Sequence, residues 1–192
     1  MLICEVASLE ESSGSSLEGS FTRDLVFSKL WLIRELAQIQ PHISTMYVLG
    51  SWYGNLALLL TRSPQAQVDR MINVETDAER LNTGQNILDQ AGADNVESML
   101  TDANDLDYRQ LGTDGAVVNT SLTEMPGTAW FDNIPTGTLV VLQARDNNPG
   151  PQFHDVEDIE KKYPLNQVLY SGSMALHDPQ TAYTRFMTIG RK

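Results

Sequence analysis

The sequence is poor in cysteine and in basic residues, and each shortage disfavours a class of protein. Its 192 residues include one cysteine, Cys4, which cannot form a disulfide within the chain. A single cysteine favours a reducing compartment, so we expect a cytoplasmic protein. Lys and Arg number 13 against 25 Asp and Glu, giving a formal net charge of -12. Such a charge repels phosphate backbones, so we do not expect a nucleic-acid partner.

Long apolar runs and several familiar motifs are also absent. No stretch reaches the roughly 18 apolar residues of a membrane-spanning helix, so we expect no membrane association. His42, His154 and His177 lie far apart, and neither HExxH nor CxxC occurs, so we expect no metal site. GxxxxGK[ST] and GxSxG are missing too, which argues against a P-loop nucleotide site and a nucleophile-elbow hydrolase.

Composition and length point to one globular domain. Apolar residues make up 41% and charged residues 20% of the chain, as in ordinary globular proteins. A chain of this length buries about 70% of its unfolded surface and needs no disulfide or metal to support a core. Residues 1–20 include the polar run ESSGSSLEGS and are predicted to be a flexible segment. Residues 21–192 are predicted to be a single domain.

Apolar periodicity predicts alternating helices and strands. Strands are predicted over residues 45–49, 70–74, 96–100, 115–119, 138–143, 167–176 and 183–189. Helices are predicted between Thr22 and Pro41 and over residues 56–60, 76–91, 124–134 and 155–163. The Asp178-Pro179 turn joins the last two strands into a hairpin. The fold class is therefore α/β: a Rossmann-like three-layer sandwich with a mostly parallel seven-stranded sheet and an antiparallel C-terminal hairpin.

Candidate ligand groups follow the first four strands, where open α/β sheets bind ligands: Gly50–Gly54, Glu75, Asp102 and Asn119. Gly50–Gly54 joins a strand to a helix, and glycines there allow a ligand close to the backbone or simply permit a tight turn. Glu75 ends the second strand, as a ribose-binding acid or a solvated carboxylate. Asp102 follows the third, where it can accept from an adenine amine or cap a helix. The bulky Trp52 and Tyr53 either cover a ligand or anchor the loop.

Four segments resemble a known family: VLGSWYGNLALLL, INVETD, MLTDANDL and DGAVVNTS. In this order and spacing they are similar to the motifs of class I S-adenosylmethionine (SAM)-dependent methyltransferases, over roughly residues 21–192. More narrowly, FTRD, VLGSWYGN, NTS and RFMTIG resemble small methyltransferase-like proteins of tailed phages. The resemblance implies SAM as cofactor. Its methionine part would be held by Gly50, Ser51 and Gly54, its ribose by Glu75, and its adenine by Asp102 and Ala103.

The resemblance also implies where the methyl group is transferred. Asn119, Thr120 and Ser121 fall where the family places its substrate and methyl-site residues. Asn119 and Ser121 can orient an amine or hydroxyl, and Tyr53 can line the methyl channel. These three side chains are the candidate catalytic residues. The acceptor is expected to be a small molecule or a protein.

The glycine loop departs from the family pattern, and the departure keeps other functions open. The family has an acid and then three glycines at alternate positions, whereas Val48 and Trp52 replace the acid and the middle glycine here. Losing the acid weakens the contact to the SAM amine. A SAM- or nucleoside-binding protein without transferase activity, such as a regulator or a SAM-consuming protein, is therefore the alternative. A nicotinamide oxidoreductase ranks last, because GxGxxG is absent and the terminal hairpin suits it poorly.

Overall fold

The computed structural model describes residues 20–125, 127–147, 153–177 and 181–192. Its strands are β1 His42–Leu49, β2 Gln67–Glu75, β3 Val96–Leu100, β4 Ala116–Asn119, β5 Leu139–Arg145, β6 Gln167–His177 and β7 Ala182–Arg191. Its helices are α1 Arg23–Ile39, α2 Asn55–Thr61, α3 Ala78–Gln90, α4 Ala129–Asp132 and α5 Val156–Lys162. Two short 3-10 turns, Ala103–Asp105 and Tyr108–Gln110, lie between β3 and β4.

The strands form one sheet in the order β3-β2-β1-β4-β5-β7-β6. β3, β2, β1, β4 and β5 pair in parallel, whereas β7 pairs antiparallel with both β5 and β6. The predicted mostly parallel sheet with an antiparallel C-terminal hairpin is thus confirmed. The chain runs outward from β1 to β3 and then returns to place β4 on the other side of β1. This reversal creates the crevice at which such sheets bind ligands.

Two apolar cores lie on opposite faces of the sheet. Successive strand residues point to opposite faces, so Met46 and Val48 join one core and Tyr47 and Leu49 the other. Helices α1, α2 and α3 cover the first core, and α4, α5 and the 3-10 turns cover the second. β4 is buried at every position, as the interior of a parallel sheet requires. The predicted three layers are present.

One predicted helix is wrong for most of its length. Residues 124–134 were expected to be helical, but α4 spans only Ala129–Asp132. The Ser121 carbonyl accepts hydrogen bonds from the Glu124 and Met125 N–H groups, which closes a tight turn before the helix begins. Gly127, a poor helix former, separates this turn from α4.

Some expectations concern residues beyond the described ranges. The predicted flexible segment, residues 1–20, lies outside them except for Ser20, and so does the predicted Asp178-Pro179 turn. In the ranges that are described, no helix has both the length and the apolar character needed to cross a membrane.

Helix α3 packs against the loop that follows β1, and this contact requires glycine at position 84. A Cβ added to Gly84 would lie 2.8 Å from the Tyr53 carbonyl carbon and 3.0 Å from its Cα. We expect Gly84→Ala to lower the free energy of unfolding, measured by urea denaturation, by about 1–3 kcal/mol, because the Tyr53 backbone or helix α3 must move. Gly127→Ala, whose Cβ meets nothing within 4 Å, is the control. Equal stability of the two variants would contradict this contact.

Candidate functional site

The loop from Gly50 to Gly54 carries the chain from β1 into α2 through three left-handed residues. Gly50, Trp52 and Gly54 have φ values of 59°, 53° and 73°. Trp52 is the one non-glycine residue with positive φ in the described parts of the chain. It adopts a conformation that suits glycine, at a cost of about 1–2 kcal/mol. The loop therefore has left-handed residues at alternate positions, and the middle one is a tryptophan.

Glu75, at the end of β2, fastens this loop to the neighbouring strand. Its carboxylate is buried, with 7% exposure. Oε2 accepts from the Trp52 N–H at 3.0 Å, and Oε1 accepts from the Thr76 and Asp77 N–H groups at 2.9 and 3.1 Å. Each carboxylate oxygen has two lone pairs. Oε2 thus retains capacity for a further donor.

A cleft of about 430 Å³ opens beside Glu75. We call it the Glu75 cleft; the lining residues that matter here are Gly50, Trp52, Glu75, Asp102, Ala103 and Ser121. Asp102 is exposed, and its Oδ1 accepts from the Asn104 N–H and side-chain amide at 2.8 and 2.7 Å. It therefore caps a 3-10 turn and faces the cleft, so its two predicted roles are compatible. The acids expected from the strand ends lie around one opening.

A second cavity, of about 270 Å³, adjoins the cleft. We call it the Lys29 cavity; its lining includes Lys29, Val48, Ser51, Thr120, Arg145 and Arg185. Gly50, Trp52, Ser121 and Glu124 line both spaces. The Ser51 hydroxyl is buried and has no hydrogen-bond partner among the described residues. A buried hydroxyl without a partner is uncommon and suggests a group that a ligand completes.

Two buried cations meet at Thr120, directly after β4. Lys29 Nζ donates to Thr120 Oγ1 at 2.7 Å, and one Arg185 amino group donates to the Thr120 carbonyl at 3.4 Å. Burial first, and then the nearby Arg185 charge, lower the pKa of Lys29 well below its usual value, while Glu124 acts in the opposite direction. Burial likewise lowers the pKa of Arg185. An acidic protein thus lines this cavity with basic side chains whose charged forms burial disfavours.

Three of the predicted site residues line neither space. Gly54 begins α2, where an added Cβ would come within 3.0 Å of Asn73 Nδ2. Tyr53 packs against the core on the α1–α3 face instead of facing a channel. Asn119 is fully buried; its Oδ1 accepts from the Ser121 N–H at 2.8 Å and its Nδ2 donates to Met125 Sδ at 3.2 Å. Asn119 shapes the segment that presents Ser121.

The cationic residues were missed in the sequence because they come from α1, β5 and β7. Lys29 nevertheless carried a signal. It shares one helical face with Leu25, Leu32 and Leu36. A charged residue on an apolar helical face is expected to be buried and to have a hydrogen-bonding or ionic partner. In the described ranges no group of three or more His, Cys, Asp or Glu side chains is arranged to hold a metal ion.

Several solved structures with this architecture are methyltransferases. One is NodS, an N-methyltransferase from Bradyrhizobium japonicum bound to S-adenosyl-L-homocysteine (SAH), at a TM-score of 0.65 and 12% identity over 97% of this chain and 98% of that one. Another is an rRNA methylase from Streptococcus thermophilus, at a TM-score of 0.57 and 16% identity over 89% of this chain and 98% of that one. This chain has the class I methyltransferase fold.

A third methyltransferase-fold structure, TrmK from M. capricolum with SAH, has a TM-score of 0.59 and 9% identity over 82% of this chain and 67% of that one. A scan against protein-family models and a search of curated proteins found no match. Identities this low establish the methyltransferase fold alone, and they confirm the predicted resemblance at that level.

Proposed function

We propose that this chain binds SAM with its adenosine part in the Glu75 cleft and its methionine part reaching past Gly50 to Ser51, at the edge of the Lys29 cavity, and transfers its methyl group to an acceptor in that cavity. One observation carries the proposal. Gly50, Glu75 and Asp102 surround a single cleft at the point where strand order reverses, in a fold whose solved examples include complexes with SAH.

The residues of the cleft suit SAM chemically. Glu75 Oε2 keeps a lone pair for a ribose hydroxyl, and exposed Asp102 can accept from the adenine amine. Gly50 leaves open the junction of the two spaces, where an added Cβ would lie 3.1 Å from Ser121 Cβ. The unpartnered Ser51 hydroxyl is available to the methionine part. Val48 contributes no charge there, but the Glu124 carboxylate lines both spaces.

The chain's own residues position the acceptor and exclude water. SAM, when bound, supplies a methyl group carried on a positively charged sulfur. Glu124, at the junction, favours positive charge there. The Ser121 hydroxyl, now donating to the Gly50 carbonyl at 3.3 Å, can orient an acceptor amine or hydroxyl. Asn119 is a positioning residue, since it holds the Ser121 N–H.

The acceptor we propose is a small molecule or a protein, because the formal charge of -12 opposes a polyanion. The fold similarity to an rRNA methylase keeps RNA as a class to be tested. The second candidate function is SAM binding without methyl transfer. The replacement of the loop acid and middle glycine by Val48 and Trp52 favours it.

Trp52 offers a direct test of cofactor binding. It lines both spaces and is 38% exposed, whereas Trp31 and Trp130 are buried. We expect SAH to change the tryptophan fluorescence with a Kd of about micromolar order, while NAD does not. Trp52→Phe should remove most of the fluorescence response, with the remainder coming from Trp130, which also lines the Glu75 cleft, and should leave binding visible by calorimetry. A chain that binds neither SAM nor SAH would contradict the proposed function.

A labelling experiment separates the two candidate functions. The protein and SAM with a labelled methyl group are incubated with three fractions of a cell extract, each in its own reaction. The fractions contain small molecules, protein and RNA. Label in the small-molecule or protein fraction supports the proposal, and label in RNA alone overturns its acceptor class. SAH binding without label in any fraction supports the binding protein without transferase activity.

A further inference from the structure

The basic side chains of the Lys29 cavity carry positive charge that methyl transfer from SAM does not require. Lys29, Arg145 and Arg185 line it, and SAM already carries positive charge on its sulfur. Lys29 and Arg185 are 5% and 4% exposed. Charged side chains at such burial are rarely found without a partner. Their presence therefore needs an explanation.

We propose that the Lys29 cavity binds the carboxylate or phosphate group of a small acceptor molecule, which Lys29, Arg145 and Arg185 hold beside the methyl site. Its role as an acceptor pocket rests on the proposed function, whereas its binding of an anion does not.

The first support is that the two buried cations lack a carboxylate partner. Among the described residues, no Asp or Glu oxygen forms a salt bridge with Lys29 or Arg185. Arg185 donates one long bond to a carbonyl, and its Nε is buried without an acceptor. A guanidinium has five N–H donors. An anion in the cavity would supply the missing acceptors and lower the cost of the buried charge.

The second support is where the cations lie in the sheet. Arg145 ends β5, Arg185 belongs to β7, and both lie on the β4 side of the reversal in strand order. Glu75 and Asp102 follow β2 and β3, on the other side of β1. The proposed ribose and adenine residues and the two arginines thus occupy opposite halves of the crevice, whereas Gly50 and Ser51 line the Lys29 cavity as well. This separates the anion from the ribose and adenine, and leaves the acceptor, as proposed, or the methionine carboxylate of the cofactor as its source.

The third support is the size and charge of the cavity. A volume of about 270 Å³ suits a small molecule or part of one. Glu124 offsets one cation, and its contact with Arg145 is long, at 3.7 Å. Three basic side chains line the cavity with this one carboxylate, and the buried Asp24 carboxylate also acts on Arg185. Burial disfavours the charged forms of Lys29 and Arg185, so an anion there would be favoured within a protein of formal charge -12. A small anion can enter the cavity, while a polynucleotide would also meet the acidic surface.

Titration with inorganic phosphate and with acetate tests the site directly. The chain is first saturated with SAH, and anion binding is followed by amide chemical shifts. We expect shifts around Thr120 and Ser121, and Arg185→Met should weaken phosphate binding by about tenfold or more. Arg109→Met is the matched control, because Arg109 bonds Asp107 at an exposed site outside both spaces. Arg145→Gln, at a half-buried position, gives a second test if Arg185→Met does not fold.

The anion in the cavity could instead be the carboxylate of the cofactor's methionine part. Comparing SAH with 5′-methylthioadenosine, which lacks that carboxylate, distinguishes the cofactor from the acceptor as its source. On our proposal, Arg185→Met leaves the Kd values of SAH and methylthioadenosine unchanged. A loss of SAH affinity alone, or phosphate binding equal in all variants, would overturn the proposal. A chain that binds phosphate through Arg185 but binds no SAH would retain the anion site and contradict the proposed methyltransferase function.

Discussion

Gly50→Ala is expected to weaken SAH binding about 100-fold, which corresponds to roughly 2.7 kcal/mol. Gly50 lines both the Glu75 cleft and the Lys29 cavity. A Cβ there would lie 3.1 Å from Ser121 Cβ, 3.2 Å from Ser121 Oγ and 3.6 Å from Met125 Sδ. The added methyl group therefore fills the passage that a ligand spanning the two spaces must cross. Calorimetric titration with SAH measures the effect.

Backbone strain must be separated from the filling of this passage. Gly50 has a φ of 59°, so alanine there is strained by about 1–2 kcal/mol even without a ligand. Gly92→Ala is the matched control, because its φ is 67° and its Cβ would meet nothing within 4 Å. We expect both variants to lose the stability that this strain costs, Gly50→Ala somewhat more because Ser121 must also shift, and Gly92→Ala to keep its SAH affinity. Unchanged SAH affinity in Gly50→Ala would show that the ligand does not cross this junction.

The fold followed from local signals, because apolar runs and their spacing determine which segments pack. β4 and β5 are continuous apolar runs since both faces of these strands are covered. Glu75 and Asp102 could be placed in one site because parallel strands bring their carboxyl ends to the same edge. The polar starts of β1 and β2 were missed: His42 and Gln67 pair with each other outside the apolar runs.

The Lys29 cavity could not be predicted in the same way. Its three cations are distant in sequence, and β7 carries Arg185 beside β5 only because it inserts between β5 and β6. No local pattern reports that insertion. The contacts of Asn119 and Tyr53 were also beyond sequence reasoning, since only the packed structure shows that the Asn119 side chain accepts from the Ser121 N–H and that Tyr53 packs against the core.

Trp52 shows a third limit of sequence reasoning. A tryptophan at the middle glycine position predicted an altered loop, but its φ of 53° keeps the glycine-like path. The bond from the Trp52 N–H to Glu75 holds this conformation, and Arg80 packs over the indole at 4.8 Å. The substitution therefore changes what lines the cleft and preserves the course of the backbone.

Glu75 is expected to affect stability and binding together, and its two roles can be separated. Glu75→Ala removes the acceptor of three backbone N–H groups at a buried position. We expect the free energy of unfolding to fall by about 2–4 kcal/mol, because three part-buried N–H groups lose hydrogen bonds to a charged acceptor. We also expect SAH affinity to fall about 100-fold or more, since the ribose hydroxyls lose their acceptor. Urea denaturation without ligand and calorimetry with SAH measure the two effects independently.

Glu75→Gln and Glu97→Ala complete this test. Glutamine keeps one acceptor oxygen and turns the other position into a donor, so it can serve the Trp52 N–H or the Thr76 and Asp77 N–H groups but not both. We expect intermediate losses of stability and of SAH affinity. Glu97 is an exposed carboxylate that pairs with Arg70, so Glu97→Ala should change stability by about 0.5 kcal/mol or less and leave SAH binding intact. If Glu75→Ala lost stability yet bound SAH as tightly as the unmodified chain, Glu75 would fasten the loop without contacting the cofactor.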